Sequence, residues 1–307
     1  MIPFFLLSAL SASTFTLGKE ALNYTTPLFL IAIRFLCAGV LFLLFFHVVD
    51  GRWKSMHRLD WLLTLKIVIF AFLGGYFLEF WALNHLPSSK TALLSSFGPV
   101  MAALLSYIFL REVVTPKKIV GLLISIVGCI LPLLATDFYT IHKFPYISVP
   151  ELAMLGAVAC FAYGWIVIRV ALKDRHLSIL LVNGIGMFLG GLGALFLSII
   201  YQLSGGEPGF WFATFFPVTS FSRFVLYTGS LIFIGNICCY MLYGYILKRY
   251  TATMLTFGEL LTPLFAALYG WLFLNERVGI NFFFSLAAIT LGLFLYYQEE
   301  HRLGYIE

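Results

Sequence analysis

The sequence predicts an all-α membrane protein of ten transmembrane helices, arranged as two five-helix repeats in opposite orientations. Three observations support this prediction: an apolar composition, ten apolar runs of membrane-spanning length, and an internal duplication. Of the 307 residues, 61% are hydrophobic and 11% are charged, whereas a soluble domain carries about 25% charged residues. The composition therefore excludes an ordinary soluble domain.

The apolar runs have the length of membrane helices. A helix needs about 20 apolar residues to cross the hydrocarbon core of a bilayer, whereas membrane β-strands have about 10 residues of alternating polarity. The first run has no basic leader and no small-residue cleavage site, so we expect a membrane span there and not a removable signal. The ten runs are 2–18, 27–49, 61–83, 88–110, 117–135, 151–172, 177–203, 223–247, 251–274 and 279–297.

The basic residues in the loops predict the orientation. With ten spans, both termini lie on the same side of the membrane. The loops, tail and adjoining span ends on that side contain eleven Lys and Arg residues, and those on the other side contain five. Basic loops are retained in the cytoplasm, so we expect both termini and residues 50–60 to be cytoplasmic and residues 138–149 to lie outside. The expected location is the inner membrane of a bacterium.

A duplicated motif relates the two halves of the chain. PVMAALLSYIFLRE (99–112) and PLFAALYGWLFLNE (263–276) are identical at seven of fourteen positions, at an offset of 164 residues. The same offset pairs Gly128 with Gly292. Because the repeat unit contains five spans, an odd number, the second copy must enter the membrane in the opposite orientation.

This duplication sets the expected domain organisation. Inverted repeats are typical of alternating-access transporters, whose substrate site lies near the bilayer midplane between the repeats. A duplication that serves packing alone is the alternative. The expected units are a first repeat at 1–135, a linker at 136–150, a second repeat at 151–298 and a cytoplasmic tail at 299–307.

Each repeat carries a proline in the middle of an apolar run and an acidic residue at its end. A proline inside a helix removes a hydrogen bond and bends the helix, so Pro99 and Pro263 are expected to bend the fourth and ninth spans around a central space. Glu112 and Glu276 reach the water interface, where capping a helix or pairing with a loop cation is the expected role.

The segment ALNHLPSSKTALLSSFGPVMAALLSYIFLREVVTPKKIVGLLISIVGCIL, its second-half counterpart and IAIRFLCAGVLFLL (31–44) resemble the paired EamA-type domains of the drug/metabolite transporter superfamily. This resemblance implies a ten-helix fold with a central cavity lined by spans 1, 3, 4, 6, 8 and 9. It implies no particular substrate. Arg34 matches the family pattern, whereas Lys90 replaces the small residue that is usual at that position.

Glu259 is the clearest candidate for a functional residue. It lies eight residues into the ninth span, about 12 Å deep at 1.5 Å per residue, where an ionisable side chain is costly and therefore a functional candidate. We predict a role in substrate binding or proton coupling, with a structural pairing as the alternative. Asn236 and Tyr240 are the expected hydrogen-bond partners. Further candidates to line the substrate site are Tyr243, Ser11, Thr14, Tyr163, Trp165, Trp81 and Ser95, the last being the first-repeat equivalent of Glu259.

A second charged cluster is expected toward the outer face. Arg34 lies in the second span, Glu79 near the outer end of the third, and Lys90 at the start of the fourth. Two interpretations remain open for this cluster. It forms either an outer gate or a structural layer of salt bridges.

The leading hypothesis for function is a secondary transporter of a small metabolite. The chain has no Walker motif to bind ATP, and its charge requires no nucleic-acid partner. All six histidines lie in loops or at span ends, so no intramembrane metal set or catalytic constellation is expected, and no cofactor is predicted. An intramembrane enzyme and a flippase for lipids or lipid carriers are the alternatives.

The charges predict the type of substrate. One deep carboxylate favours a ligand with an ammonium or sulfonium group, and aromatic side chains suit such a cation and an apolar middle. Arg34 or Lys90 could meet a carboxylate at the other end of the ligand. The expected substrate is therefore an amino acid or a derivative such as an S-adenosylmethionine-like metabolite, ahead of nucleotides and sugar phosphates.

Overall fold

In the computed structural model, the regular structure is helical throughout the described residues, which are 2–49, 57–86, 94–141, 148–203, 218–265, 268–269 and 280–305. We label the helices α1 to α10. Three of them, α3, α6 and α8, contain a π-helical stretch. The helices are α1 (Ile2–Leu22), α2 (Pro27–Val49), α3 (Arg58–Ile67, π-helical Val68–Gly74 and Gly75–His85), α4 (Gly98–Leu110), α5 (Pro116–Ile141), α6 (Val149–Arg169 and π-helical Val170–Asp174), α7 (Ile179–Leu203), α8 (Val218–Ser230, π-helical Leu231–Cys239 and Tyr240–Arg249), α9 (Ala252–Glu259) and α10 (Ile280–Arg302).

The helices have the length and surface of membrane spans. Among the described residues, five stretches are long and apolar enough to cross a bilayer, and three shorter apolar helices accompany them. Large apolar side chains face outward, among them Leu44, Phe109 and Phe233, where lipid would solvate them. The prediction of an α-helical, multi-pass integral membrane protein is confirmed.

Small residues allow the closest contacts between helices. A Cβ atom at Gly39 of α2 would lie 2.5 Å from the backbone nitrogen of Phe188 in α7. Likewise, a Cβ atom at Gly292 of α10 would lie 2.5 Å from the carbonyl oxygen of Gly121 in α5 and would also clash with the Ser125 hydroxyl. Close approach of helix backbones at small residues is the usual way in which membrane helices associate.

Gly292→Ala tests the α5–α10 contact. The added methyl group meets backbone that cannot rotate away, so we expect the free energy of unfolding to fall by about 1–3 kcal/mol, the usual cost of overpacking. Gly229→Ala in α8 is the matched control, because nothing lies within 4 Å of its Cβ position. Thermal unfolding in detergent measures both. Equal stability of the two variants would contradict this packing.

Three ion pairs join the first half of the chain to the second. Arg169 Nη1 donates to Glu112 Oε1 at 2.5 Å, and Arg175 Nε donates to Asp60 Oδ1 at 2.8 Å. The third pair joins Lys118 to Glu300. The structure therefore pairs Glu112 with a cation, which is one of the two roles expected for it, although the cation lies within α6 and not in a loop.

The chain is interrupted before each of the two mid-span prolines. It turns at 96–97 before Pro99 and at 260–261 before Pro263, and these turns are 164 residues apart. Pro99 is then near the start of a new helix, where a proline is well tolerated. The sequence predicted a bend within a continuous helix, and the structure shows a break instead.

The same hydrogen bond closes both turns. Phe97 N–H donates to the Leu94 carbonyl at 3.2 Å, and Leu261 N–H donates to the Gly258 carbonyl at 3.0 Å. These bonds span three residues, one fewer than in an α-helix. The break has a steric cause, because a proline ring clashes with the carbonyl four residues earlier and offers it no N–H.

Residues that are equivalent in the two repeats contact each other at two places. The hydroxyl oxygens of Tyr76 and Tyr240 are 2.9 Å apart. Ser125 Oγ donates to the Ile289 carbonyl at 3.4 Å. Both pairs are separated by 164 residues. The π-helical stretches of α3 and α8 also occupy equivalent positions, so this irregular feature occurs in both halves of the chain.

Candidate functional site

Glu259 forms the centre of the candidate site. It is the last residue of α9 before the break, it is half-buried, and its Oε1 accepts a hydrogen bond of 2.9 Å from the Tyr243 hydroxyl. The sequence had pointed to Asn236 and Tyr240 as its partners. The difference has a simple geometric cause. The turn between α8 and α9 is centred on Thr251, so Tyr243 and Glu259, each eight residues from it, lie at the same depth.

Aromatic rings from three helices pack beside this carboxylate. The Trp165 ring of α6 stacks on Tyr243, with ring centroids 4.5 Å apart. Tyr240 lies 5.3 Å from Tyr243 and 5.8 Å from Trp165, and Phe72 of α3 stacks on Tyr240 at 5.4 Å. A cation bound by Glu259 would therefore lie near aromatic rings.

Tyr240 is held from two sides. Its hydroxyl meets that of Tyr76 at 2.9 Å, and its backbone carbonyl accepts a hydrogen bond of 3.1 Å from Asn183 Nδ2 of α7. The sequence analysis missed Tyr76, Asn183 and Phe72. Tyr76 could have been found, because it is the first-repeat equivalent of Tyr240 at the 164-residue offset, whereas nothing in the sequence places Asn183 or Phe72 there.

Arg34 belongs to the same region. Its side chain is 8% exposed, and its Nε donates to Asn236 Oδ1 at 3.1 Å. Arg34 and Asn236 are therefore hydrogen-bonded to each other, although the sequence had assigned Asn236 to the substrate site and Arg34 to an outer layer. Glu79 is half-buried in α3 and close enough to Arg34 for their charges to interact. Lys90, the third member of the expected outer layer, lies outside the described residues.

The hydroxyls of α1 lie next to this pair. A Cβ atom at Gly235 would be 3.1 Å from Thr14 Cγ2 and 3.5 Å from Arg34 Nη2, so Thr14 and Arg34 both approach the same point of α8. Thr14 Oγ1 donates to the Ser11 carbonyl at 2.7 Å. Ser11 Oγ is 3.8 Å from the Cys239 sulfur. These contacts bring both predicted α1 residues to the inner face of α8.

Three predicted residues have other surroundings. Tyr163 packs between Phe70 and Phe109, with centroid distances of 4.8 and 4.9 Å. Trp81 is 36% exposed and lies against His85. Ser95 is exposed just before the break that precedes α4. In addition, no group of three or more His, Cys, Asp and Glu side chains that could hold a metal occurs among the described residues.

A membrane protein, helical in its described regular structure, that brings together a carboxylate, an arginine and aromatic hydroxyls from both halves of the chain has the features of a solute transporter. The model of the EamA-like transporter family matches residues 1–134 and 149–298. The chain belongs to this family.

Individual proteins are similar over almost the whole length. The S-adenosylmethionine/S-adenosylhomocysteine transporter of Chlamydia muridarum is 32% identical over 98% of this chain and 92% of that protein. The protein of the same name from Chlamydia trachomatis serovar L2 is also 32% identical, over 98% of this chain and 90% of that protein. A solved crystal structure with 18% identity has a TM-score of 0.75 and covers 98% of this chain and 97% of that one, so it has the same fold.

Proposed function

We propose that this protein is a secondary-active, alternating-access transporter that carries S-adenosylmethionine or a close relative of that molecule. The observation that supports this most strongly is the 32% identity, over almost the whole chain, to proteins named for that substrate. The activity is transport without chemical change of the substrate.

The site chemistry fits this substrate. S-adenosylmethionine carries a sulfonium and an ammonium cation, a carboxylate and a flat adenine ring. Glu259 offers a negative charge, and the rings of Trp165 and Tyr243 beside it offer aromatic surface that suits a cation or a base. The same carboxylate could carry a coupling proton.

For the architecture, we propose ten membrane-spanning helices in two inverted repeats, at 1–135 and 151–298, with a linker at 136–150 and a tail at 299–307. Residues related by a two-fold axis touch each other only close to that axis. The contacts Tyr76–Tyr240 and Ser125–Ile289 support an axis that passes near both pairs. The equivalent breaks before Pro99 and Pro263 also support a repeat, because the same interruption of the helix recurs at the same position in each half.

Labelling of single cysteines tests the proposed orientation, in which both termini are in the cytoplasm of a bacterial cell. In a background without native cysteines, a cysteine at Lys54 should react only after the inner membrane is opened. A cysteine at Lys143 should react in intact cells with an impermeant maleimide. Reaction of both from outside would overturn the ten-span scheme.

Transport in proteoliposomes tests the function. Purified protein should accumulate labelled S-adenosylmethionine that is recovered unchanged, because carriage alters no covalent bond. Excess S-adenosylhomocysteine should compete, and sugar phosphates and lipid carriers should not. Liposomes without protein are the control. Uptake of sugar phosphates in place of S-adenosylmethionine would overturn the substrate, and chemical conversion of the substrate would overturn the transporter assignment.

A further inference from the structure

We propose that Arg34 and Asn236 form a binding subsite for the carboxylate group of the substrate. The subsite makes a free α-carboxylate a requirement for transport. This inference rests on the proposed function, and it assigns one end of the substrate to named donor atoms.

The Arg34 guanidinium has N–H groups that donate to no described residue. It is buried in α2, and among the described residues only its Nε is engaged, by Asn236 Oδ1 at 3.1 Å. Within the described part of the chain, its guanidinium forms no ion pair with a carboxylate, although the charge of Glu79 acts on it from a distance. A buried guanidinium without a paired anion is costly, so an incoming carboxylate would be stabilised there.

Asn236 supplies a second free donor. The residue is fully buried, its Oδ1 is held by Arg34, and its Nδ2 has no hydrogen-bond partner among the described residues. Leaving a buried donor unsatisfied costs about 1–3 kcal/mol. Because the amide is fixed through its oxygen, its free N–H group is presented beside the guanidinium.

A glycine lets this pair approach the backbone of α8 closely. Asn236 lies in the π-helical stretch Leu231–Cys239, and its neighbour Gly235 has no side chain. A Cβ atom at Gly235 would press against Thr14 at 3.1 Å and touch Arg34 Nη2 at 3.5 Å. π-Helical turns often occur at functional sites.

The donor set matches a carboxylate. A guanidinium binds the two oxygens of a carboxylate through two parallel N–H bonds, and Asn236 Nδ2 adds a third donor. Glu259 takes the opposite charge. A site with both features holds a ligand that carries a cation and a carboxylate, and it should reject an analogue that keeps the cations and lacks the carboxylate.

Asn236→Asp is the most direct test. Aspartate can still accept from Arg34 Nε, but it neutralises the guanidinium and replaces the free donor with a negative oxygen. We compare binding of S-adenosylmethionine and of decarboxylated S-adenosylmethionine by thermal shift of the purified protein. We expect the wild type to prefer the carboxylate form at least about tenfold, which is about 1.4 kcal/mol. Asn236→Asp should lose or reverse this preference.

Two further variants complete the test. Asn23→Asp makes the same chemical change at the end of α1, outside the site, and should keep the wild-type preference. If Asn236→Asp gives no folded protein, Arg34→Lys decides, because lysine keeps the charge and loses the paired N–H groups; we expect it to lose the preference too.

The outcomes separate this inference from the proposed function. Wild-type protein that binds S-adenosylmethionine and its decarboxylated form equally, or a variant that keeps the wild-type preference, would overturn the carboxylate subsite and leave the transporter proposal intact. Wild-type protein that binds neither compound would overturn the proposed substrate, and this subsite with it.

Discussion

Replacing Glu259 by glutamine is expected to abolish or strongly reduce uptake of S-adenosylmethionine and to leave the amount of folded protein unchanged. Glutamine has the same shape and can still accept the hydrogen bond from Tyr243, but it cannot neutralise a bound cation. Loss of one partner of a buried charge pair costs about 2–5 kcal/mol, so we expect apparent affinity to fall at least about 30-fold. The measurement is the concentration dependence of uptake in proteoliposomes.

Glu20→Gln is the matched control for this experiment. Glu20 is exposed near the end of α1 and interacts with Asn23, so the same change of charge there should leave uptake unaltered. Wild-type uptake by Glu259→Gln would show that this carboxylate does not bind the substrate. A variant that still exchanges internal for external substrate, but no longer responds to a pH gradient, would assign Glu259 to proton coupling instead.

Replacing Lys118 by methionine is expected to destabilise the protein by about 3–5 kcal/mol, the usual cost of removing one partner of a buried ion pair. Lys118 and Glu300 are both fully buried, with Nζ and Oε1 3.4 Å apart. The Lys118 ammonium also lies 5.1 Å from the Tyr296 ring centroid and 4.7 Å from that of Tyr305. Methionine fills most of the volume and leaves the Glu300 carboxylate without its cation.

This cost should depend on pH. Glu300 lies three residues beyond the apolar run 279–297, and burial raises its pKa from 4.5 to about 7. Between these values the folded protein binds more protons than the unfolded chain, so stability falls as pH rises through this window. Without Lys118 the pKa should rise further, because the cation that favours the carboxylate form is lost. The Lys118→Met penalty should therefore be smaller at pH 5 than at pH 8.

The neighbouring lysine provides the control. Lys117 is exposed and donates to Gln298 Oε1 at 3.2 Å, so Lys117→Met should change stability by less than about 1 kcal/mol at either pH. The double variant Lys118→Met/Glu300→Gln should recover part of the loss, because no uncompensated charge remains. Unfolding of solubilised protein at pH 5 and pH 8 measures all three. An equal Lys118→Met penalty at both values would show that Glu300 does not titrate there.

The helical fold could be predicted from the sequence because hydrophobic length is a local property. The run 27–49 coincides with the helix Pro27–Val49, and the run 177–203 differs from Ile179–Leu203 only at its start. The breaks before the two prolines were harder to foresee. A proline within an apolar run is compatible with a bend or with a break, and the choice depends on neighbours that are distant in sequence.

The candidate site was predictable as a set of residues and less so as a set of contacts. Glu259 was identified by the cost of burying a charge, and the α8 residues by their depth. Which α8 residue meets the carboxylate depends on the centre of the turn, and a shift of three residues changes depth by about 4.5 Å. The sequence analysis assigned Arg34 to an outer layer of charges. Its contact with Asn236 could not be predicted, because the two residues are 202 positions apart along the chain.

The contact between Tyr76 and Tyr240 has a consequence for symmetry. The two hydroxyls are 2.9 Å apart, and either can be the donor, but a single proton lies between the two oxygens. The proton arrangement is therefore unsymmetrical even where the backbone is symmetrical. One tyrosine donates its hydroxyl proton to its counterpart, and the other can donate to a different acceptor. In the alternating-access cycle proposed above, this contact would persist with only its polarity reversed. The centre of the molecule would then act as a fixed pivot, and the direction of one hydrogen bond would record which half of the chain is in which conformation.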